Sequence, residues 1–372
     1  MRVGLSTRAI EPALTGGIDG IGIYTQALLA HLPAEGIEVQ GQVYAEGPAD
    51  AALRYSRRWP HAYGWYVGGE LAGLRPRVRP AAGLMHFTDH RVAACATPSV
   101  ATVHDAIPLR YPQWVSPRLR RLKNYAMRRM VRQADLFIAV SHYAVDELRE
   151  AFGLPADRIR VVPNGIESEW LQPMPADAAA LRRDSGLPAD GYFLFVGTLQ
   201  PRKNVDRILD AHAALPAEVR RRHPLVVIGR PGWRCEHTQA RLQALGAGGE
   251  VVWLQGLRER AALRAAYAGA LALAFPTLYE GFGIPVLEAF ASRLPVLTSR
   301  VASLPEVAGD AALLVDPTRV DEIAGAMLRL AEDAALRERL SAAGHRRAQS
   351  YTWQRTAAAT AAVYRELVPG RG

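Results

Sequence analysis

Cysteine is nearly absent from these 372 residues. Only Cys95 and Cys235 occur, too few for a disulfide framework or a cysteine-based zinc site. Long apolar runs are missing too. None approaches the ~20 residues needed to span a bilayer, and the opening stretch MRVGLSTRAIEPALTGG lacks the apolar core of an export signal. A reducing cytoplasm is the expected setting. Acidic residues are scarce in one window. Between Arg54 and Arg132, fifteen Lys or Arg stand against three carboxylates, Glu70, Asp89 and Asp105, so this stretch carries +12 in a chain of net charge +9. Such a patch points to an anionic partner, whether nucleic acid, anionic lipid or a phosphorylated substrate. No zinc finger, aromatic RNA-binding pattern or Lys/Arg tail supports nucleic acid. An ordinary solvated basic surface fits the same composition.

What is present reads as two domains, given the length. Hydrophobic residues make up 49% and charged residues 22%, an ordinary globular balance. Arg2–Thr7 reads as a strand. Glycines at 16, 17, 20 and 22 follow, then IYTQALLAHL at helical spacing. Strand, glycine loop and helix bring backbone close to phosphate, although the spacing is not G-x-G-x-x-G. Ile37–Tyr44, Gly83–Thr88, Ser99–His104, Ala134–Val140 and Arg158–Pro163 read as further strands. His104-Asp105 falls at a strand's end, where open α/β sheets place ligand-contacting side chains. Residues 47–83 show no clear pattern. Ser116–Arg132 sets Leu119, Leu122, Ala126 and Met130 along one helical face, with basic side chains around the rest. That suits either an anionic membrane surface or a solvated helix. Ser141 suits an N-cap. The proline- and alanine-rich stretch from Trp170 to Pro188 reads as interdomain.

The second half alternates more clearly. Strands are expected at Tyr192–Gly197, Leu225–Gly229, Glu250–Gln255, Ala270–Phe275, Pro295–Thr298 and Ala312–Val315, with helical patterns between them. Alternation of this kind implies a parallel sheet covered on both faces. Two such domains predict a ligand cleft between the carboxyl ends of their strands. The final piece, from Trp353 on, is rich in strong helix formers. It packs on its own domain or crosses back to the first.

Phe275–Leu294, FPTLYEGFGIPVLEAFASRL, is the stretch around which the rest is arranged. An apolar strand leads to a turn with Gly281 and Gly283, and Pro285 then opens a helix. Glu280 precedes the turn and Glu288 lies on the helix. Folding back at the glycines lets the first carboxylate approach a helix start, whose free N–H groups and dipole favour an anion. Val196–Asn204, VGTLQPRKN, puts Arg202 and Lys203 at a strand-to-helix turn. There two cations would neutralise a diphosphate.

Together these pieces resemble the retaining GT-B-fold glycosyltransferases of family 4. The matching residues are Gly16-Gly17, Val103-His104-Asp105, Val162–Gly165, Gly197 with Pro201–Asn204, Pro276–Glu288 with its E-x7-E pattern, Val301–Asp316 and Tyr351–Trp353. They run in order along nearly the whole chain. The resemblance implies an α/β architecture of two Rossmann-like domains facing each other across a cleft. The acceptor-binding domain would span 1–170 with the last helix, 353–372, and the donor-binding domain 171–352. Arg202 and Lys203 would hold the donor's diphosphate, and Glu288 the ribose hydroxyls. Glu280, as a catalytic residue, and the backbone of Gly281, Phe282, Gly283 and Ile284 would meet the transferred sugar. His104 would reach that sugar from the first domain, and Gly17 would approach the phosphates or the acceptor.

The chemistry implied is transfer of a hexose, mannose from GDP-mannose as first choice, with retention. A front-face mechanism is favoured over a covalent glycosyl-enzyme. No Asp-x-Asp stands in the donor region, so neither metal nor cofactor is expected. The acceptor would be a saccharide or polyprenyl-diphosphate-linked sugar in cell-surface polysaccharide or O-antigen synthesis, reached by peripheral contact of region 54–132 with anionic membrane. Rhamnosyl, other deoxyhexosyl or glucosyl transfer are alternatives, and a nucleotide-sugar epimerase is a more distant one. A periplasmic-type binding protein and an NAD-dependent dehydrogenase share the two-lobed plan. The missing export signal argues against the first and the glycine spacing against the second.

Overall fold

A computed structural model describes the chain except at residues 12–18, 44–56, 173, 175–177, 190, 258 and 370–372. The chain divides into two compact units, Met1–Gly165 with Trp353–Gly372, and Ile166–Thr352. Each is built on one parallel sheet.

The first unit's strands are β1 Arg2–Ser6, β2 Glu38–Val43, β3 Arg57–Arg58, β4 Leu84–Phe87, β5 Ser99–Thr102, β6 Leu136–Ala139 and β7 Ile159–Val161. They lie side by side in the order β3-β2-β1-β4-β5-β6-β7. Side chains alternate across such a strand, so Val100, Leu136 and Ile138 pack under the helices Gly20–His31 and Trp353–Leu367. Ala101, Phe137 and Ala139 pack on the opposite face, with Met130, Val131, Leu148 and Phe152 from two other helices. Chain order reverses at β1 and β4, which makes the gap between them this sheet's switch point. Just past β5, the Val103 N–H donates to Ile138 O at 3.0 Å, and His104 emerges at the carboxyl edge.

One buried polar network binds the last helix to this unit. His86 on β4 contacts Tyr364 Oη through Nδ1 at 2.6 Å and Thr102 Oγ1 through Nε2 at 2.8 Å. Tyr24 Oη lies 2.8 Å from the same Thr102 oxygen. Burial drives the His86 pKa down to about 3, so the ring is neutral. The sequence pattern gave no sign of this network, because His86, Thr102 and Tyr364 sit in three separate apolar segments.

The basic helix differs from its sequence reading. It spans Arg120–Val131, and Leu119 lies outside it in the left-handed region at φ 55. The expected stripe therefore breaks in two. Ala126 and Met130 are buried, while Leu119 and Leu122 are 63% and 52% exposed beside Tyr125 at 57%. The stretch 47–83 contains one regular helix among its described residues, Tyr63–Leu71. Ser141 caps the helix His142–Phe152, accepting from Ala144 N.

The second unit's strands are β8 Tyr192–Val196, β9 Leu225–Ile228, β10 Val251–Leu254, β11 Ala270–Phe275, β12 Val296–Ser299 and β13 Ala312–Val315, in the order β10-β9-β8-β11-β12-β13. Their runs of Val, Leu and Phe are buried throughout the central strands, as expected with helices on both faces. The chain moves outward from β8 to β10 and then returns to β8's other side as β11. The switch point therefore lies between β8 and β11. The segment Trp170–Pro188 belongs to this unit; Trp170 packs edge-on against Tyr267 with ring centroids 5.1 Å apart.

Tyr364→Phe leaves the buried His86 Nδ1 without its partner. It is expected to lower unfolding free energy by about 1–3 kcal/mol, measured by urea denaturation. A stability equal to the parent's would show that the network contributes nothing.

Candidate active site

In open α/β sheets ligands bind outside the carboxyl ends of the strands, at the switch point. In the second unit the two segments found there are the loop after β8 and the loop after β11, which the sequence separates by some 75 residues. Four contacts knit them together. Leu278 N donates to Arg202 O at 2.8 Å, and Arg202 Nη1 donates to Tyr279 O at 3.1 Å. Asn204 Nδ2 bonds Pro276 O at 2.8 Å and also Pro317 O at 2.7 Å. Lys203 Nζ donates to Glu280 Oε1 at 2.6 Å.

Asn204 holds φ 62, a left-handed conformation that asparagine tolerates better than most residues. It ends the short 3-10 turn Pro201–Lys203 and precedes the helix Val205–Ala213. That kink carries Arg202 and Lys203 towards the second loop. Glu280 accepts from both, since Arg202 Nη1 lies 3.1 Å from the same Oε1. Burial works to raise the Glu280 carboxyl, but the two cations hold its pKa below the usual value. Burial pulls Lys203 down to about 8 in spite of its carboxylate partner. Lys203 Nζ also lies 5.1 Å from the Phe275 ring centroid. Both ion pairs end on Oε1. Arg202 Nε also donates to Gln200 Oε1 at 3.3 Å, so the guanidinium is held on several sides, while an ammonium carries three hydrogens of which Glu280 takes one.

The turn that follows is held from below. Ser303 Oγ lies 2.8 Å from Glu280 O and 2.9 Å from Phe282 O. Thr298 and Ser299 bond the carbonyls of Phe275 and Thr277. Gly281, Phe282, Gly283 and Ile284 then lead into the helix Ile284–Ala291, whose N-cap is Gly283 at φ 111. A Cβ at Gly283 would lie 2.8 Å from Leu304 Cδ2, so both conformation and space require glycine. No side chain caps this helix. Glu280 makes no side-chain cap to this helix and pairs with Lys203 and Arg202, whose full charges attract a carboxylate more strongly than partial backbone charges.

Glu288 sits one turn into that helix and is buried. Its Oε2 accepts from Tyr267 Oη at 2.7 Å. Burial raises its pKa to about 7, against the opposing effects of Tyr267 and Arg260. Tyr267, Ser303 and Asn204 were not singled out by sequence reasoning. Only Asn204 carried a usable signal, an asparagine between a proline-led turn and a helix.

In the first unit, His104 Nε2 lies 3.0 Å from Thr88 O. A carbonyl only accepts, so Nε2 carries the proton and Nδ1 presents a lone pair. Burial lowers this imidazole's pKa. Gly17 lies outside the described residues. Among the described residues, no group of three or more His, Cys, Asp or Glu is placed to hold a metal, and no helix is long and apolar enough to cross a membrane.

Two parallel sheets covered by helices, with charged and polar side chains at their carboxyl edges, define an α/β protein of two Rossmann-like units. The backbone is similar to that of sucrose-phosphate synthase from Thermosynechococcus elongatus, with a TM-score of 0.76 over 98% of each chain at 22% identity, and has the GT-B fold. Residues 18–170 match the model described as Glycosyltransferase Family 4, and residues 177–347 match that of Glycosyl transferases group 1. O-antigen chain mannosyltransferase B of Escherichia coli is 33% identical over 271 residues, 72% of this chain and 70% of the relative. D-inositol 3-phosphate glycosyltransferase of Kribbella flavida is 31% identical over 383 aligned positions, 98% of this chain and 86% of that one. The chain belongs to the family 4 glycosyltransferases.

Gly283→Ala is expected to cost about 1–3 kcal/mol of stability and to weaken nucleoside diphosphate binding, both read from thermal shifts with and without ligand. A variant that melts and binds like the parent would show that the turn tolerates a side chain.

Proposed function

We propose that the second unit grips a nucleotide-activated hexose, and that the enzyme transfers the hexose with retention to a lipid-linked or saccharide acceptor. The observation that carries this reading is the Arg202–Lys203–Glu280 cluster at the switch point, in which Lys203 and Glu280 are buried. Breaking the sugar–phosphate bond builds negative charge on the departing diphosphate. Fixed cations beside an uncapped helix start stabilise that charge without reorganising. In this reading Arg202 and Lys203 present their positive charge to the diphosphate, and Gly281–Ile284 line the sugar and phosphate. Glu280 uses Oε2 for a sugar hydroxyl while Oε1 keeps the cations in place. Glu288 accepts the ribose hydroxyls, oriented by Tyr267. His104 accepts from a sugar hydroxyl through Nδ1.

The geometry favours a front-face route over a covalent intermediate. Glu280 is already the counter-ion of two cations, which makes it a poor nucleophile. The acceptor proton then passes to the leaving diphosphate. With Lys203 and Arg202 on the diphosphate, activity should not require a divalent ion.

The relative named an O-antigen chain mannosyltransferase supports mannose as the transferred sugar and a place in surface-polysaccharide synthesis, with GDP-mannose as the donor of this reading. The relative named for D-inositol 3-phosphate favours a second reading, in which the acceptor is a phosphorylated polyol. Rhamnosyl, other deoxyhexosyl or glucosyl transfer would use the same grip. The exposed Leu119, Leu122 and Tyr125, set among Arg118, Arg121 and Arg128, support peripheral contact with anionic lipid.

Lys203→Ala is expected to keep the fold and lose most turnover, followed as product release from GDP-mannose and competing donors. Near-parental turnover would remove the phosphate assignment. The pH profile of kcat/KM follows from the two shifted groups. Glu288 must be ionised to accept hydroxyls, so the rate rises as pH climbs through about 7. Lys203 must stay protonated, so it falls as pH passes about 8. Tyr267→Phe removes a bond to the carboxylate and should move the acid limb upward. An acid limb that stays in place would dissociate Glu288 from the rate.

A further inference from the structure

A hollow of about 470 Å³ opens in the first unit beside the helices Tyr63–Leu71 and Arg120–Val131. It is lined by His90 and Arg91, in the loop after β4, and by Pro108, beyond β5. It therefore lies at the carboxyl edge of the sheet, the edge from which His104 emerges. Asn124 Nδ2 donates to Pro108 O at 3.0 Å and ties the basic helix to that loop.

The lining has two characters. Tyr63, Val67 and Met127 give it an apolar portion, and Arg91, Arg120 and Lys123 give it a cationic portion. Arg91 is paired with Asp89. Among the described residues, Arg120 and Lys123 have no acidic partner, and the lining contains no carboxylate. Sugar hydroxyls both donate and accept, and a site for them needs, beside its donors, acceptors such as Glu280 and Glu288. This lining offers few. It suits two uncompensated negative charges attached to something greasy. The volume falls in the range of small-ligand sites.

We propose that this hollow holds the acceptor by the group that carries its sugar: a phosphate or diphosphate ester joined to a hydrocarbon chain. Arg120 and Lys123 take the phosphate, and Tyr63, Val67 and Met127 take the hydrocarbon. The assignment rests on the donor-binding reading of the second unit. It excludes a free phosphorylated polyol as the preferred occupant, since such a molecule has nothing to place on the apolar portion.

The test is calorimetric titration of the full chain with geranyl diphosphate, inorganic diphosphate, D-inositol 3-phosphate, GDP and UDP. Geranyl diphosphate should bind most tightly of the three non-nucleotide probes. Arg120→Ala/Lys123→Ala should weaken it at least tenfold while changing nucleoside diphosphate affinity less than twofold. Met127→Gln should weaken geranyl diphosphate but not inorganic diphosphate. Lys203→Ala should do the reverse of the double variant, losing the nucleotide and keeping geranyl diphosphate. The proposal is overturned if geranyl diphosphate binds no better than the polyol phosphate, or binds the double variant as well as the parent. If neither nucleotide binds the parent, the donor reading fails alone, and a geranyl diphosphate affinity lost in the double variant still upholds the pocket.

Discussion

Everything at the donor edge depends on a buried ion pair. Taking an ammonium and a carboxylate out of water costs several kcal/mol per ion, and attraction between them offsets this only when geometry and further hydrogen bonds are good. Here the loop after β8 and the loop after β11 meet that condition, through contacts between Arg202 and residues 278–280 and through the Asn204 amide. Backbone and charge thus fix each other. The loops hold the cations where the proposed reading puts a diphosphate, and Glu280 offsets the repulsion between them. Such a pair contributes little net stability but orders the site in advance, which is the form electrostatic catalysis takes in proteins.

The two units solve the problem of buried polarity in opposite ways. In the first, His86, Thr102, Tyr24 and Tyr364 form a neutral network, since burial keeps the imidazole uncharged. The four groups form a chain, Tyr24 to Thr102 to His86 to Tyr364, that ties strands to helices and serves packing. In the second, Lys203, Arg202 and Glu280 form a charged cluster at the strands' carboxyl edge. In the proposed reading that charge is what a ligand would meet. Glu288 lies between these extremes, poised near neutrality by burial and steadied by one tyrosine.

Much of this was legible beforehand. Parallel strands covered on both faces must be runs of Val, Leu, Ile and Phe, so twelve of the thirteen described strands stood out. The exception was Arg57–Arg58, an edge strand of two charged residues with no pattern to read. The motifs at 201–204 and 280–288 were legible because loops near ligands need unusual residue types, here a cation pair and two glycines. Periodicity failed at Leu119 and Leu122, because the helix starts only after Leu119, and both side chains stay largely exposed. Contacts such as Tyr267 with Glu288, or Ser303 with two carbonyls, join segments tens of residues apart. Local sequence does not encode them in any form a single chain reveals.

The last helix carries a consequence for how the chain comes to be. Trp353 and Tyr364 complete the core and the polar network of the first unit, yet they follow the whole of the second. During synthesis the ribosome releases the second unit's sheet while the first still lacks a wall. The cluster of Leu84, Val100 and Ile138 would then be covered by the helix Gly20–His31 alone, with His86 short of a partner, until residue 367 had emerged. The earlier-made half of this enzyme is thus the later one to finish, and that interval is when it would most need shielding from neighbours with exposed apolar surface.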